Sequence, residues 1–308
     1  MRVIPLVAVT DATLVSTNVP EDDYPVWVAG TTYAVDARVI SLFTHGIYQN
    51  RVAGNVGKDP VNPANIFDPE KNPTGQWIYV SKTNRWRAFD GLNSAKVRRA
   101  NAIEYVLQVT ATMNIVALTG LEARSVRVEV LNGDGVGVFD ETRQLLDTSS
   151  VRTWFDYFTF EPDQFVENQV FYGLNAFAGY QLRVTIENDG GIAAASIIGF
   201  GRRRVLGRLL FSTSPSNIDY STNEVDAFGE QMLVQRGYAR KIQFQLAFPK
   251  EDYARIERIL LPLRAVPAIY YENEELYHNL IVLGTYADFS PSLEIGISTA
   301  ALTVTGNI

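Results

Sequence analysis

Two histidines, His45 and His278, are the whole stock of imidazole in 308 residues, and there is no cysteine. Any histidine-centred triad or metal site would have to be built on one of these two, while disulfides, thiolate zinc sites and cysteine nucleophiles are excluded. His45 lies beside a glycine in a turn context and His278 in a strand-like run beside Tyr277 and Asn279, so both read as surface or packing residues. Asp134, Asp140, Glu141 and Asp156 supply carboxylates among β-prone stretches, and Asp22 and Asp23 form part of an acidic cluster with Glu21. Glycoside hydrolysis needs two such groups roughly 5 to 9 Å apart across a sugar. The spacing here sets up no such pair, and solvated turn carboxylates are the expectation. "LNGDGVGVFDE" at 131–141 offers oxygen ligands of the kind calcium takes, without the spacing of an EF-hand. "GNVGKDP" at 54–60 has a Gly-Lys pair but neither the spacing nor the strand-to-helix setting of a phosphate loop. The sequence therefore points to no catalytic residue, no metal and no cofactor.

Aromatic side chains give the strongest chemical signal. Trp27, Tyr33, Tyr48, Trp77, Trp86 and Phe89 fall in a stretch rich in Gly, Pro and Asn and poor in large aliphatic residues. Such rings either fill the core of a very small β-module or stack on a ligand. A π face suits the axial C–H face of a pyranose, with polar neighbours bonding the hydroxyls, and a well-formed ring contact is worth about 1 kcal/mol beyond its area. Trp27 and Trp77 lie beside strand-like runs and are expected to be mostly core. Tyr33 and Tyr48 are the candidates for partial exposure. All four, with Trp86, are the candidate carbohydrate-binding residues.

The elements that must position these residues follow from composition and periodicity. With 46% hydrophobic and 20% charged residues the chain has material for real cores, and its length allows two or three domains. A net charge of −7 gives no general attraction to a polyphosphate backbone, so nucleic acid is not an expected partner. Met1 to Thr10 is apolar but broken by Pro5, and reads as a strand rather than a secretion signal. No apolar run reaches the ~20 residues that cross a bilayer as a helix, so membrane insertion is not expected.

Residues 1–23 read as an N-terminal arm or strand. Residues 24–92 read as a small module with short strands and a long irregular connection, Gly54 to Gly75, carrying four prolines. From 97 to 207, stretches such as "AIEYVLQVT", "SVRVEVLN" and "YQLRVTIEN" are separated by Gly-rich turns, which predicts an antiparallel β-sandwich of jelly-roll type. Residues 208–308 differ: Tyr253, Ile256, Ile259, Leu260 and Leu263 recur at helical spacing with charged residues opposite, predicting one helix among strands. The expected architecture is mainly β and multidomain, with a small aromatic-cored β-module, a jelly-roll-like sandwich and a C-terminal α+β domain with one helix. Arg202, Arg203 and Arg204 fall near the last boundary and are candidates for an interdomain or subunit ion-pair site, or for a solvated basic edge.

The pattern Trp27-x2-Gly30-x2-Tyr33-x2-Asp36-x2-Val39, then Gly46-Ile47-Tyr48 and a later Trp77, resembles the type-3 chitin-binding modules of chitinases and cellulases, with Val35 where those have glycine. That resemblance implies exposed rings that stack on sugar. The longer pattern closing in "SKTNRWRAFDGL" (81–92), with a sandwich carrying "TWFDYFTF" (153–160), resembles minor tail or baseplate proteins of tailed bacteriophages. "QRGYARKIQFQLAFPKEDYARIERIL" followed by "AVPAIYYENEELYHNLIVLGTYADF" is similar to domains of distal-tail and hub proteins that ring a tail tube. The resemblance implies a virion structural protein without enzymatic activity, assembled in the host cytoplasm as a ring-forming homo-oligomer. Its partners would be tail-tube, distal-tail or hub proteins and host-surface glycan. The alternative is a glycan-active enzyme or free carbohydrate-binding protein acting on cell-surface polysaccharide.

Overall fold

The computed structural model describes residues 1–146, 151–159, 165–225, 229–272, 280–292 and 294–307. In chain order the strands are β1 (Arg2–Pro5), β2 (Leu14–Thr17), β3 (Arg38–Ser41), β4 (Gly46–Asn50), β5 (Trp77–Lys82), β6 (Val97–Gln108), β7 (Met113–Thr119), β8 (Ser125–Leu131) and β9 (Gly137–Gln144). After helix α1 (Trp154–Thr159) come β10 (Gln169–Ala176), β11 (Gln181–Ala195), β12 (Ile197–Gly201), β13 (Arg204–Val205), β14 (Arg208–Leu209), β15 (Ser214–Asp219), β16 (Thr222–Val225), β17 (Gln231–Val234) and β18 (Tyr238–Pro249). Helix α2 (Tyr253–Leu260) and strands β19 (Ala268–Tyr271), β20 (Ile281–Ser292) and β21 (Ile297–Gly306) complete the described chain. The protein is mainly β, as its alternating sequence predicts.

Two antiparallel sheets form the central sandwich, β2-β6-β11-β8-β9 against β10-β7-β12. Alternation fixes the inner face of the larger sheet: Ile103, Tyr105 and Leu107 of β6, Val126, Val128 and Val130 of β8, and Leu182, Val184 and Ile186 of β11 share one core. The smaller sheet reads differently. Its central strand, "MNIVALT", is apolar at nearly every position because both of its faces are covered. Val116 and Leu118 point into the sandwich, while Ile115 and Ala117 point the other way, onto Ile4, Ile269 and Leu283 of the C-terminal sheet. Sandwich and C-terminal domain thus share an apolar cluster.

The C-terminal sheet runs β13-β1-β19-β20-β21-β18-β14, with β15 also paired to β18. Helix α2, prolonged by 3₁₀ turns at Lys250–Asp252 and Leu261–Leu263, lays Ile256, Leu260 and Leu263 on this sheet beside Phe244, Phe248 and Leu302. Each large apolar side chain buried there contributes about 1.5 to 3 kcal/mol. The expected single helix of this domain is where its periodicity put it.

The N-terminal arm is not one unit. Strand β1 pairs with β19 and β13 inside the C-terminal sheet, and the Met1 ammonium donates to Gly207 O at 2.7 Å and pairs with Glu272. Strand β2 instead adds to the sandwich by pairing with β6. Residues 24–82 form the small module, a three-stranded β3-β4-β5 sheet whose core is Tyr33, Val39, Tyr48 and Trp77.

One short helix was not expected from the sequence. Helix α1 lies between β9 and β10, in the stretch read as part of the sandwich's strands. Thr153 Oγ1 accepts from Asp156 N at 3.2 Å, and Asp156 Oδ2 accepts from Thr153 N at 2.8 Å. This reciprocal capping box, written T-x-x-D in the sequence, is the signal that could have found it.

Candidate functional site

The candidate sugar-binding rings are mostly core. Trp77 is fully buried, donating from Nε1 to Lys58 O at 2.7 Å, and Trp27 packs half-buried against the same cluster. The expected partial exposure of Tyr33 and Tyr48 is not found: they are 8% and 5% exposed. With so few aliphatic residues, the module uses its tyrosines as core, and their hydroxyls find partners at its rim. Tyr33 Oη accepts from Val28 N at 2.7 Å, and Tyr48 Oη lies 2.9 Å from Thr44 Oγ1.

Trp86 serves a different purpose. Its indole stacks on His45 at 4.1 Å between centroids and meets Phe89 edge-on, and Phe89 in turn meets Tyr105 of the sandwich. The 3₁₀ turn Asn84–Phe89 therefore anchors the module to the sandwich, reinforced by Tyr105 Oη donating to Arg85 O at 2.6 Å. His45 is a packing residue, with Nδ1 3.0 Å from Glu21 Oε1 and Nε2 3.1 Å from Asp11 Oδ2. His278 lies outside the described residues.

The carboxylates considered for hydrolysis are dispersed. Asp140 chelates Arg127 at 2.8 and 2.7 Å, Glu141 pairs with Arg143, Asp156 caps α1, and Asp134 is exposed in a turn. In that turn Asn132 Oδ1 accepts from Asp134 N and Val136 N, so its oxygen closes the hairpin. Among the described residues no cluster of three or more His, Asp or Glu could hold a metal ion. None of the helices in the described residues is long and apolar enough to cross a membrane. Arg202, Arg203 and Arg204 are exposed where the chain leaves the sandwich at Gly201 and enters the C-terminal sheet at β13, and none forms an ion pair with a described residue.

The module does carry one open groove, of about 710 Å³, between the paired strands β4 and β5 and the proline-rich connection that joins them. Its wall is Tyr79, which is 47% exposed and meets Tyr48 edge-on at 5.7 Å. Pro60, Pro63 and Ile66 line it opposite, and Asp68 and Lys71 stand at its polar side. The connection is held by side chains bonding its own backbone. Asn72 Nδ2 donates to Ala64 O and Ile66 O, Asn65 Nδ2 to Asp59 O, and Asp68 Oδ1 accepts from the amides of Glu70 and Lys71. The Arg51 guanidinium lies 3.5 Å over the Phe67 ring and bonds Gly75 O. The irregular segment is therefore a preformed wall.

An aromatic ring and proline faces, with the Asp68 carboxylate and the Lys71 ammonium also lining the groove, can stack on one face of a sugar and bond its hydroxyls. Tyr79 stands at the centre of "WIYVSK", where three successive side chains are exposed on an edge strand. Alternation gave no reason to single it out.

Asp90 ends the 3₁₀ turn that anchors the module. Its Oδ1 accepts from Leu92 N at 2.8 Å, while Oδ2 is buried with no hydrogen-bond partner. Burial pushes this carboxyl up to about 6, against the opposing pull of the Leu92 amide, Arg87 and Lys82. A carboxyl whose folded pKa exceeds its unfolded value of about 3.9 makes the native state bind more protons, so stability falls as pH rises between those two values. Asp90→Asn keeps the Oδ1 acceptor and removes the charge. The variant is expected to melt above the parent at pH 8 and to lose that advantage at pH 4; thermal melts at the two pH values check it.

The sequence matches no protein-family model, and no curated protein matches it.

Proposed function

We propose that the chain is a structural component of a tailed-phage tail tip or baseplate. On this reading its C-terminal domain assembles, with other copies in a ring, around the tail tube or hub, and the groove beside Tyr79 touches host-surface carbohydrate. The observation that carries the reading is the apolar surface on two elements that contribute to none of the described cores. Helix α1 has no buried residue, and Trp154, Phe155, Tyr157 and Phe158 are all largely exposed. In the β16–β17 hairpin Met232, Leu233 and Val234 are exposed, as is Phe211 nearby in the chain, at 99%. The Trp154, Tyr157 and Phe158 rings of α1 touch one another, and contiguous apolar surface of this kind marks a place where another protein sits. Two unlike patches on one chain also suit a head-to-tail contact, which closes into a ring when the rotation allows. The absence of cysteine fits assembly in a reducing cytoplasm.

Making the hairpin acidic, with Met232→Asp and Leu233→Asp together, is expected to reduce the oligomer or the complex with tail-tube and hub proteins to free monomer. Light scattering after size exclusion reads the result. A parent chain that stays monomeric both alone and with those proteins would count against the assembly reading. For the groove, Tyr79→Ala is expected to weaken retention on chitin or host polysaccharide about five- to tenfold, the worth of one stacked ring. Unchanged retention on affinity electrophoresis would remove the groove from the proposal.

A further inference from the structure

We propose that a cleft at the seam between the sandwich and the C-terminal sheet is a second binding site, one that takes a single polyhydroxylated ring, either a free monosaccharide or the end residue of a glycan. This cleft, of about 430 Å³, is built from the end of β7, the approach to β10, the start of β18 and strand β20. It shares no residue with the groove beside Tyr79. Its volume lies within the range of small-ligand sites, about 300 to 1,000 Å³.

The chemistry of the lining selects the ligand. Thr119, at the end of β7, is 5% exposed, and its hydroxyl has no hydrogen-bond partner. A buried hydroxyl left without a partner is costly, so its presence on a cleft wall argues for a polar occupant. Around it stand Asn168, whose Oδ1 accepts from Gly120 N at 3.4 Å, and Ser196, whose Oγ donates to Asn93 O at 3.0 Å. The backbone is kept low here: a side chain at Gly120 would begin 2.1 Å from Ser196 Oγ.

Charge in the cleft comes in opposed pairs. Lys96 is taken up by Glu122 at 2.7 Å. Arg240 bonds Ile281 O through Nη1 at 3.4 Å; burial draws its pKa down, while Tyr238 and Glu167 pull it back up. A lining with guanidinium and carboxylate together, plus amides and hydroxyls, offers donors and acceptors side by side. Vicinal sugar hydroxyls, each both donor and acceptor, match that alternation, whereas a simple anion would meet Glu167. Tyr238, 66% exposed and also lining the cleft, supplies the flat ring on which a pyranose face can rest.

The test uses the full chain and four probes: the methyl glycosides of glucose, galactose and N-acetylglucosamine, with glycerol as a polyol lacking a ring. Saturation-transfer NMR and calorimetry are expected to detect at least one glycoside and not glycerol. Tyr238→Ala, an exposed change that spares the fold, is expected to weaken that binding about five- to tenfold. Thr119→Val, which removes only the unpartnered hydroxyl, is expected to weaken it by a similar factor of about five. An oligosaccharide ending in the best glycoside, bound more tightly than the free form, would identify the source as a glycan end. The proposal is overturned if no glycoside binds, or if a soaked crystal shows only an ordered water on Thr119. It is also overturned if binding survives Tyr238→Ala but is lost in Tyr79→Ala, because that binding belongs to the groove.

Discussion

Replacing Asn50 by alanine is expected to unfold the N-terminal module while the sandwich and C-terminal domain stay folded. Asn50 is fully buried at the end of β4. Its Nδ2 donates to Tyr33 O at 3.2 Å, Ala34 O at 2.7 Å and Val52 O at 2.6 Å, and its Oδ1 accepts from Asn55 Nδ2 at 2.9 Å. Alanine would leave the buried Tyr33 carbonyl and the buried Asn55 amide without this partner at once, and would take a donor from the part-buried Ala34 and Val52 carbonyls. Leaving one such group unsatisfied costs about 1 to 3 kcal/mol, so a total near 4 kcal/mol is a reasonable scale. A core of four large side chains has little stability in reserve. Trp27, Trp77 and Trp86 are three of the four tryptophans, so the loss would show as a red-shifted emission and as new protease cleavage between residues 54 and 75. Asn50→Asp is expected to do no better, since it keeps the acceptor but loses the donors and buries a charge. Parent-like emission and cleavage in Asn50→Ala would refute this role.

The second large effect is expected at the seam. Gly201 ends β12 with its backbone against β1, where a side chain would begin 2.5 Å from Pro5 O and 3.3 Å from Ile4 Cγ2. Gly199 is confined in the same way by Ile269 Cδ1 at 2.5 Å and Leu6 Cδ2 at 2.7 Å. A backbone oxygen cannot turn aside as a side chain can. Gly201→Val must therefore push β1 away from β12, and β1 is bonded to β13 and β19, so the displacement spreads through the C-terminal sheet. Overpacking of this kind costs roughly 3 kcal/mol. The expected result is a melting temperature lower by several degrees, with dye binding to the uncovered Ile115, Ile269 and Leu283; Gly201→Ala should do the same more weakly. An unchanged melt in the valine variant would show that the seam yields more readily than its geometry implies.

How far the sequence carried can be seen at particular residues. Helix α2 was legible because its apolar positions repeat every three to four residues over two turns and more. The inward set of the larger sandwich sheet was legible from strict alternation in stretches such as "SVRVEVLN". The aromatic core of the module was legible as a composition, but the assignment of sides within it was not. Tyr33 and Tyr48 are core because Val28 N and Thr44 Oγ1 happen to meet their hydroxyls, and Tyr79 is open because β5 is an edge. Neither circumstance is written in periodicity. The groove was hidden for the same reason: its wall is shaped by side chain to backbone bonds of Asn65, Asp68 and Asn72, which a run of polar residues and prolines does not specify. Strand β1 lies beside β19, a pairing across more than 260 residues, and a single sequence holds no record of such a contact.

That pairing has a mechanical consequence. Because β1 lies in one sheet with β18, β19, β20 and β21, the sandwich and the module are an insertion, joined to the C-terminal domain by one covalent crossing after β1 and another after Gly201. A body held by a single linker can swivel about it, whereas a body held at two points, with a buried apolar face between them, resists rotation about every axis but one. A pull or twist on the module would thus reach the C-terminal sheet as a displacement of the whole rather than being lost in a hinge.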